Sequence, residues 1–124
     1  MNDLTSETNT SLTEVDGNII VTLSREMNVS EIESLKESVA KRAYKRNVSG
    51  AIFDFSTGTI VDSFIYDSLT AMSRTLRLMG VKVVWTGLNP GTVAALMDLN
   101  VDLDTTSIKT AINLEQGLKL LKQV

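Results

Sequence analysis

The chain has 124 residues, of which 43% are hydrophobic and 22% charged, with a formal net charge of −3. That length suits one domain with a substantial core. The absence of cysteine and histidine excludes disulfides, thiolate chemistry and histidine-based metal sites or triads. The negative charge argues against nucleic acid as a partner, and a thiol-free chain suits a reducing, cytoplasmic compartment.

The beginning of the chain, MNDLTSETNTS, is polar and without a periodic pattern. We expect a flexible N-terminal tail over residues 1–11 and a single domain over residues 12–124. The tail lacks the basic start and apolar stretch of a signal peptide. No apolar run approaches the ~20 residues needed to cross a bilayer, so no membrane partner is expected.

The hydrophobic pattern predicts nine elements. Apolar runs and alternation predict strands at residues 12–15, 18–23, 50–55, 81–86 and 106–111. The first two strands flank Asp16-Gly17, a hairpin turn signal. Helical spacing predicts helices at residues 29–46, 63–79, 90–99 and 114–123. A strand–helix–strand order indicates a parallel crossover, so the fold class is α/β, a mixed four- to five-stranded β-sheet with about four α-helices packed against it.

Capping signals mark where these helices begin and end. The sequence offers two alternative capping boxes for the first helix, Asn28 with Glu31 or Ser30 with Glu33. The remaining signals are Asn89 before Pro90, Asn113 before the last helix, and Gly80 after the second.

The second helix has the clearest apolar stripe, made by Ile65, Leu69, Met72, Leu76 and Met79. With about 100° between successive residues, Ser63 lies nearly opposite this stripe. The outward side that it shares with other polar residues consists of Asp67, Thr70, Arg74 and Arg77. We therefore expect Ser63 to be exposed at the helix N-terminus.

Two roles are open for Ser63. Serine is a favoured N-cap, worth about 1 kcal/mol over alanine, and Asp62 is equally suitable. Alternatively, a phosphate on Ser63 would lie at the positive end of a helix and act as a surface charge switch of about −2 without unfolding the chain. Thr57, Thr59 and Ser68 remain open as other acceptors.

Three segments resemble the signature of STAS domains, the family of anti-sigma-factor antagonists and sulfate-transporter tails. AIFDFSTGTIVDSF, residues 51–64, resembles a strand ending in Asp, a loop with hydroxyl groups, and Asp-Ser at a helix start. VKVVWTGLNPGTVAALMDL, residues 81–99, resembles the strand–Gly–x–x–Pro–helix stretch of that family. AINLEQGLKLL, residues 111–121, resembles its terminal helix. Their order and spacing extend the resemblance over nearly all of residues 12–124.

Within that family the chain is most similar to stressosome scaffold subunits of the RsbS type, which are bare STAS domains. Phe64 and Ile65 follow Asp-Ser where free antagonists usually have a small residue and glycine. Residues 94–97, Ala-Ala-Leu-Met, lack the hydroxyl that sensor paralogues carry there. The resemblance implies that Ser63 is the phosphoacceptor. The implied surroundings of that site are Asp54, Ser56, Thr57, Gly58, Thr59, Asp62 and Phe64.

The resemblance implies partner switching. The unmodified domain would assemble with sensor STAS paralogues (RsbR type) in a large oligomer and hold a switch serine/threonine kinase (RsbT type). Phosphorylation of Ser63 would release the kinase during a stress response, and a PP2C-type phosphatase would reverse it. No cofactor or catalytic activity is implied. An alternative with the same fold and serine is a free anti-sigma factor antagonist that binds an anti-sigma kinase.

The segment DLNVDLD, residues 98–104, alternates oxygen-bearing side chains as an EF-hand loop does. Leu103 stands where that loop needs glycine, and Lys109 stands where it needs glutamate. We therefore expect no metal site, and we expect Val101 and Leu103 to point inward.

Asp54 and Asp62 flank one loop and could be imagined as a catalytic carboxylate pair. No nucleophile–base pair, glycine-rich phosphate loop or metal-ligand set accompanies them in the sequence. Asp54 is instead expected to accept hydrogen bonds from loop amides at a strand end. Trp85, in a buried-type strand, is expected in the core. The sequence therefore predicts no enzyme.

Overall fold

The computed structural model describes residues 10–99 and 108–123. The strands in these ranges are β1 (Ser11–Val15), β2 (Asn18–Thr22), β3 (Gly50–Asp54), β4 (Lys82–Thr86) and β5 (Lys109–Ala111). The helices are α1 (Val29–Arg46), α2 (Ser63–Leu78), α3 (Pro90–Asp98) and α4 (Leu114–Lys122). Each predicted element is confirmed, with ends shifted by a few residues. Residues 1–9 of the expected tail over residues 1–11, and the expected inward positions of Val101 and Leu103, lie outside the described residues. Ser11, expected in the tail, begins β1.

One five-stranded sheet in the order β1-β2-β3-β4-β5 forms the centre of the fold. β1 pairs with β2 antiparallel, and the other neighbouring pairs are parallel. The hairpin between β1 and β2 turns at Asp16 and Gly17, whose φ angles of 54° and 80° are those that an Asp-Gly hairpin turn requires. The predicted mixed sheet with a parallel crossover is therefore confirmed.

The parallel strands end in register, with Thr22 opposite Asp54, Asp54 opposite Thr86, and Thr86 opposite Ala111. We call the side of the sheet where these residues lie the carboxyl edge. A helix that links two parallel strands runs back along the sheet, so it begins near the end of the strand before it. The N-termini of α2 and α3 are therefore at the carboxyl edge, and that of α4 lies there too, because only residues 112 and 113 separate it from the end of β5.

The two faces of the sheet carry cores of unequal size. The larger core lies under α1, α2 and α3, and Trp85 is buried in it. Its indole Nε1 donates to Ser73 Oγ at 3.1 Å, and its ring lies 5.1 Å from that of Phe55 and 6.1 Å from that of Tyr66. Trp85 is thus a core residue, as predicted. The smaller core pairs the other face with α4 through Ile20, Ile52, Val84, Leu114, Leu118 and Leu121.

The helix starts follow the capping signals. For α1 the structure has the Asn28–Glu31 box, in which Asn28 Oδ1 accepts from the Glu31 amide at 2.8 Å and Glu31 Oε1 accepts from the Asn28 amide at 3.0 Å. Asn89 and Asn113 accept the corresponding bonds at the starts of α3 and α4. Gly80, with φ of 85°, follows the end of α2 as predicted.

The cap of α2 is Asp62, one of the two residues that the sequence left open. Its Oδ1 accepts from the Ile65 amide at 2.9 Å, and its carbonyl accepts from the Tyr66 amide at 2.9 Å. Ser63 is the first helical residue and is exposed. The hydroxyl of Ser63 is therefore not used to begin the helix.

The outward and inward faces of α2 differ from prediction at two residues. Thr70 was expected outside but is buried, with 4% of its surface exposed. It lies on the same side of the helix as Tyr66 and Ser73, which both contact Trp85, so α2 buries a wider arc than its apolar stripe alone. Met79 was expected in that stripe but is exposed, because α2 ends at Leu78 and Met79 is its C-cap.

We predict that Asp62→Ala lowers the free energy of unfolding by about 1 kcal/mol, because the substitution removes the acceptor of the Ile65 amide. Ser63→Ala is the matched control and should change that free energy by less than about 0.5 kcal/mol. Urea unfolding of both variants measures the difference. Equal losses, or a loss in Ser63→Ala alone, would contradict the assigned cap.

A second prediction concerns Gly117, where α4 approaches the sheet. A Cβ atom there would lie 2.7 Å from Thr86 Cγ2 and 3.1 Å from Ile52 Cδ1. We expect Gly117→Ala to lower the free energy of unfolding by about 1–3 kcal/mol through overpacking. Alanine is the better helix former by about 1 kcal/mol, so propensity alone gives the opposite sign.

Two comparisons isolate this close approach. Gln116→Ala, at the exposed neighbouring position, should leave stability within about 0.5 kcal/mol of the unsubstituted chain. Thr86→Ser removes the methyl group that the new Cβ would meet, so Gly117→Ala should cost less in that background. The same cost in both backgrounds would show that this contact is not the cause.

Candidate functional site

The candidate site is the β3–α2 loop, residues 55–62, together with Ser63 at the carboxyl edge. Ser63 is exposed, as predicted, and its side chain makes no hydrogen bond within the described part of the chain. Asp62 Oδ1 accepts a hydrogen bond from the Ile65 amide. The amides of Ser63 and Phe64 have no hydrogen-bond partner among residues 10–99 and 108–123. A free hydroxyl therefore lies beside two free N–H groups at the positive end of a 16-residue helix.

Apolar surface lies next to this hydroxyl. Phe64 is 42% exposed and Ile60 is 51% exposed, although both are large hydrophobic residues. Phe64 follows Ser63 directly, and Ile60 precedes it by three residues. Aromatic residues such as Phe64 are enriched where proteins contact one another, so these two side chains are candidates for a binding surface.

Asp54 connects the loop to the neighbouring strand. Its Oδ1 accepts from the Ser56 amide at 3.0 Å and from Thr86 Oγ1 at 3.4 Å. The expectation that Asp54 binds a loop amide is therefore confirmed. Gly87, the glycine of the Gly–x–x–Pro stretch, packs against this point: a Cβ atom there would lie 2.8 Å from the Ser56 nitrogen, and its φ is 75°. The motif marked this glycine, but its close approach to Ser56 depends on the pairing of β3 with β4.

Thr57 connects the same loop to the other side of the sheet. Its Oγ1 donates to the Leu23 carbonyl at the end of β2 and lies 3.5 Å from Thr59 Oγ1. The Gly58 amide donates to the Phe55 carbonyl at 2.9 Å, which closes a turn, and Gly58 has a φ of 84°. Sequence patterns did not predict the contact with Leu23, because the two residues are 34 positions apart.

The other hydroxyl groups considered as acceptors differ from Ser63 in accessibility. Thr59 and Ser68 are buried. Thr57 is exposed as a residue, but its hydroxyl hydrogen is donated to a backbone carbonyl. Ser63 and Ser56 are exposed, and Ser63 alone of these lies on the first turn of α2.

The structure bears on two alternatives that the sequence raised, a metal site and a catalytic carboxylate pair. No group of three or more acidic side chains within residues 10–99 and 108–123 is arranged to hold a metal ion. Most of the 98–104 segment lies outside those ranges. Asp54 is bound to the loop and Asp62 to the start of α2, so each carboxylate already has a structural task. No helix in the described part of the chain is both long and apolar enough to cross a membrane.

Sequence comparisons relate the chain to two proteins of Bacillus subtilis (strain 168). YezB is 32% identical over 83 residues, which are 67% of this chain and 83% of that protein. The RsbT co-antagonist protein RsbRB is 25% identical over 93 residues, which are 75% of this chain. The chain spans only about a third of RsbRB, since the match covers 33% of it.

Two solved structures of similar sequence share the fold. A serine-to-glutamate variant of RsbS from Moorella thermoacetica is 28% identical, with a TM-score of 0.77 over 92% of this chain and 95% of that chain. A chain in the molecular architecture of the stressosome is 29% identical, with a TM-score of 0.75 over 90% of this chain and 96% of that chain. The family model of the STAS domain matches residues 9–113. The chain therefore belongs to the STAS domain family.

Proposed function

We propose that this chain is a non-catalytic stressosome scaffold that works by partner switching. Unmodified, it holds a switch serine/threonine kinase, and phosphorylation of Ser63 releases that kinase in a bacterial stress response. The observation that carries the proposal is the exposed Ser63 hydroxyl beside Phe64 and Ile60 at the start of α2.

The proposal needs an acceptor that a kinase reaches without unfolding the domain. Ser63 fits this requirement because Asp62, its neighbour, caps the helix. Modification of Ser63 therefore removes no hydrogen bond that begins α2. A phosphate there would lie near the free amides of Ser63 and Phe64, where the helix favours negative charge.

Release follows from the same geometry. Phosphorylation adds about −1.5 to −2 charges and three strong acceptor oxygens at neutral pH. The new charge would stand next to the Asp62 carboxylate and beside the apolar surface of Phe64 and Ile60. An unmatched charge in an interface costs several kcal/mol, which is enough to separate a complex of ordinary affinity.

The similar proteins support the identity of the partners. The match to the stressosome chain supports assembly with sensor STAS paralogues of the RsbR type in a large oligomer. RsbRB is an RsbT co-antagonist, which supports a kinase of the RsbT type. The RsbS structure carries a substitution that adds negative charge at a serine, as phosphorylation does. A PP2C-type phosphatase that restores Ser63, and a cytoplasmic location, complete the proposal.

We predict that an RsbT-type kinase from the same organism, with ATP, adds one phosphate to this chain at Ser63. Ser63→Ala should receive none, whereas Ser56→Ala, the matched control at an exposed serine of the same loop, should be modified like the unsubstituted chain. Intact-mass and peptide mass spectrometry measure both results.

Ser63→Glu should bind the kinase at least tenfold more weakly, because the unfavourable charge that it places in the interface costs about 1.4 kcal/mol or more of binding free energy.

A phosphate that persists in Ser63→Ala would contradict the proposed acceptor. Light scattering distinguishes the scaffold from a free anti-sigma factor antagonist. A mixture with a sensor paralogue should give a large particle if the chain is a scaffold. A monomer under those conditions would instead support the free antagonist that binds an anti-sigma kinase.

A further inference from the structure

We propose that Thr57 is a positioning residue for the modification of Ser63. Its hydroxyl fastens the β3–α2 loop to the end of β2 and so prearranges the surface on which the kinase docks. The kinase part of this inference rests on the proposed function. The fastening itself is a property of the chain and is measured without a kinase.

The loop is attached to the sheet on two sides. On the β4 side, the Asp54 carboxylate joins the Ser56 amide to the Thr86 hydroxyl. On the β2 side, Thr57 Oγ1 donates to the Leu23 carbonyl, and the Ile60 amide donates to the Arg25 carbonyl at 2.8 Å. Within the described residues, Thr57 supplies the one side-chain hydrogen bond from this loop to the β2 side.

Leu23 makes that bond effective as an anchor. It is fully buried, and its amide donates to the Asp54 carbonyl at 3.1 Å. Leu23 is therefore fixed both to the core and to β3. A hydroxyl that donates to its carbonyl is held at a rigid point. Thr59, which is buried, lies beside this contact, with its Oγ1 3.5 Å from Thr57 Oγ1.

The anchor matters because Ile60 lies between Thr57 and Ser63. Ile60 is half exposed, it follows the turn that Gly58 closes, and its amide is held by the Arg25 carbonyl. A docking surface that is already ordered loses less conformational entropy on binding. Ser63 itself starts α2, whose cap is Asp62. Loss of the anchor should thus weaken docking and leave the reactivity of the Ser63 hydroxyl unchanged.

The first test compares Thr57→Val with Thr57→Ser by amide hydrogen exchange. Valine keeps the shape of threonine and removes the hydroxyl, whereas serine keeps the hydroxyl. In Thr57→Val we expect the Gly58 and Ile60 amides to exchange about three- to tenfold faster, the range that one hydrogen bond supports. Thr57→Ser should exchange like the unsubstituted chain. Unchanged exchange in Thr57→Val, or equal acceleration in both variants, would overturn the anchor.

The second test measures phosphorylation of Ser63 by an RsbT-type kinase from the same organism. Thr57→Val should raise KM by about three- to tenfold and leave kcat within about twofold, and Thr57→Ser should restore KM. A role limited to global stability would lower the urea midpoint and leave KM unchanged at low temperature. Faster exchange without a change in KM would therefore overturn the positioning role.

The two tests separate the inference from the proposed function. If the unsubstituted chain is not phosphorylated, the proposed function fails, and the positioning role fails with it. The exchange comparison of Thr57→Val with Thr57→Ser still decides whether the hydroxyl anchors the loop. If the chain is phosphorylated and neither variant changes exchange or KM, the proposed function stands and the inference about Thr57 is wrong.

Discussion

The parallel direction of β2, β3, β4 and β5 is the constraint on which the rest of the structure depends. It brings the ends of the strands into register, with Asp54 between Thr22 and Thr86. Residues that are more than 30 positions apart in the chain thus become neighbours. The Asp54 carboxylate uses this arrangement, because it binds the loop that follows its own strand and the hydroxyl that ends the next strand. The candidate site is built on that cross-strand link.

A second consequence is a division of tasks between two adjacent polar residues. Asp62 caps α2, and Ser63 presents a hydroxyl that the helix does not need. If Ser63 were the cap, its modification would change the stability of α2 as well as the charge of the surface. With Asp62 as the cap, the free energy that stabilises α2 does not depend on whether Ser63 is modified. Such an arrangement lets a domain carry a charge on its surface while its fold stays the same, which reversible signalling requires.

Local sequence patterns predicted the elements and most caps, because these depend on neighbours within about four residues. The same patterns failed where tertiary contacts decide. Thr70 faces inward because α2 packs around Trp85 on a side that its apolar stripe does not mark. The choice of Asp62 over Ser63 as cap is a shift of one residue between two good caps, which propensity does not resolve. Thr57 and Leu23 meet only through the pairing of β2 with β3.

Charge at the carboxyl edge sets a condition on the proposed switch. Asp54, Asp62 and Asp67 are close to Ser63 in sequence, and residues 47–73 contain no cation, while Arg25 reaches the loop through its backbone carbonyl. A partner that carries cations is attracted to these carboxylates, and that long-range attraction grows when phosphate is added. Screening limits it to about 8 Å at physiological salt. Release therefore depends on the desolvation of the phosphate at close contact. A phosphate beside Phe64 and Ile60 would have to lose its water to remain in an apolar contact, and that loss costs free energy. The proposed switch therefore uses the exposed phenyl ring of Phe64 as well as the serine that precedes it.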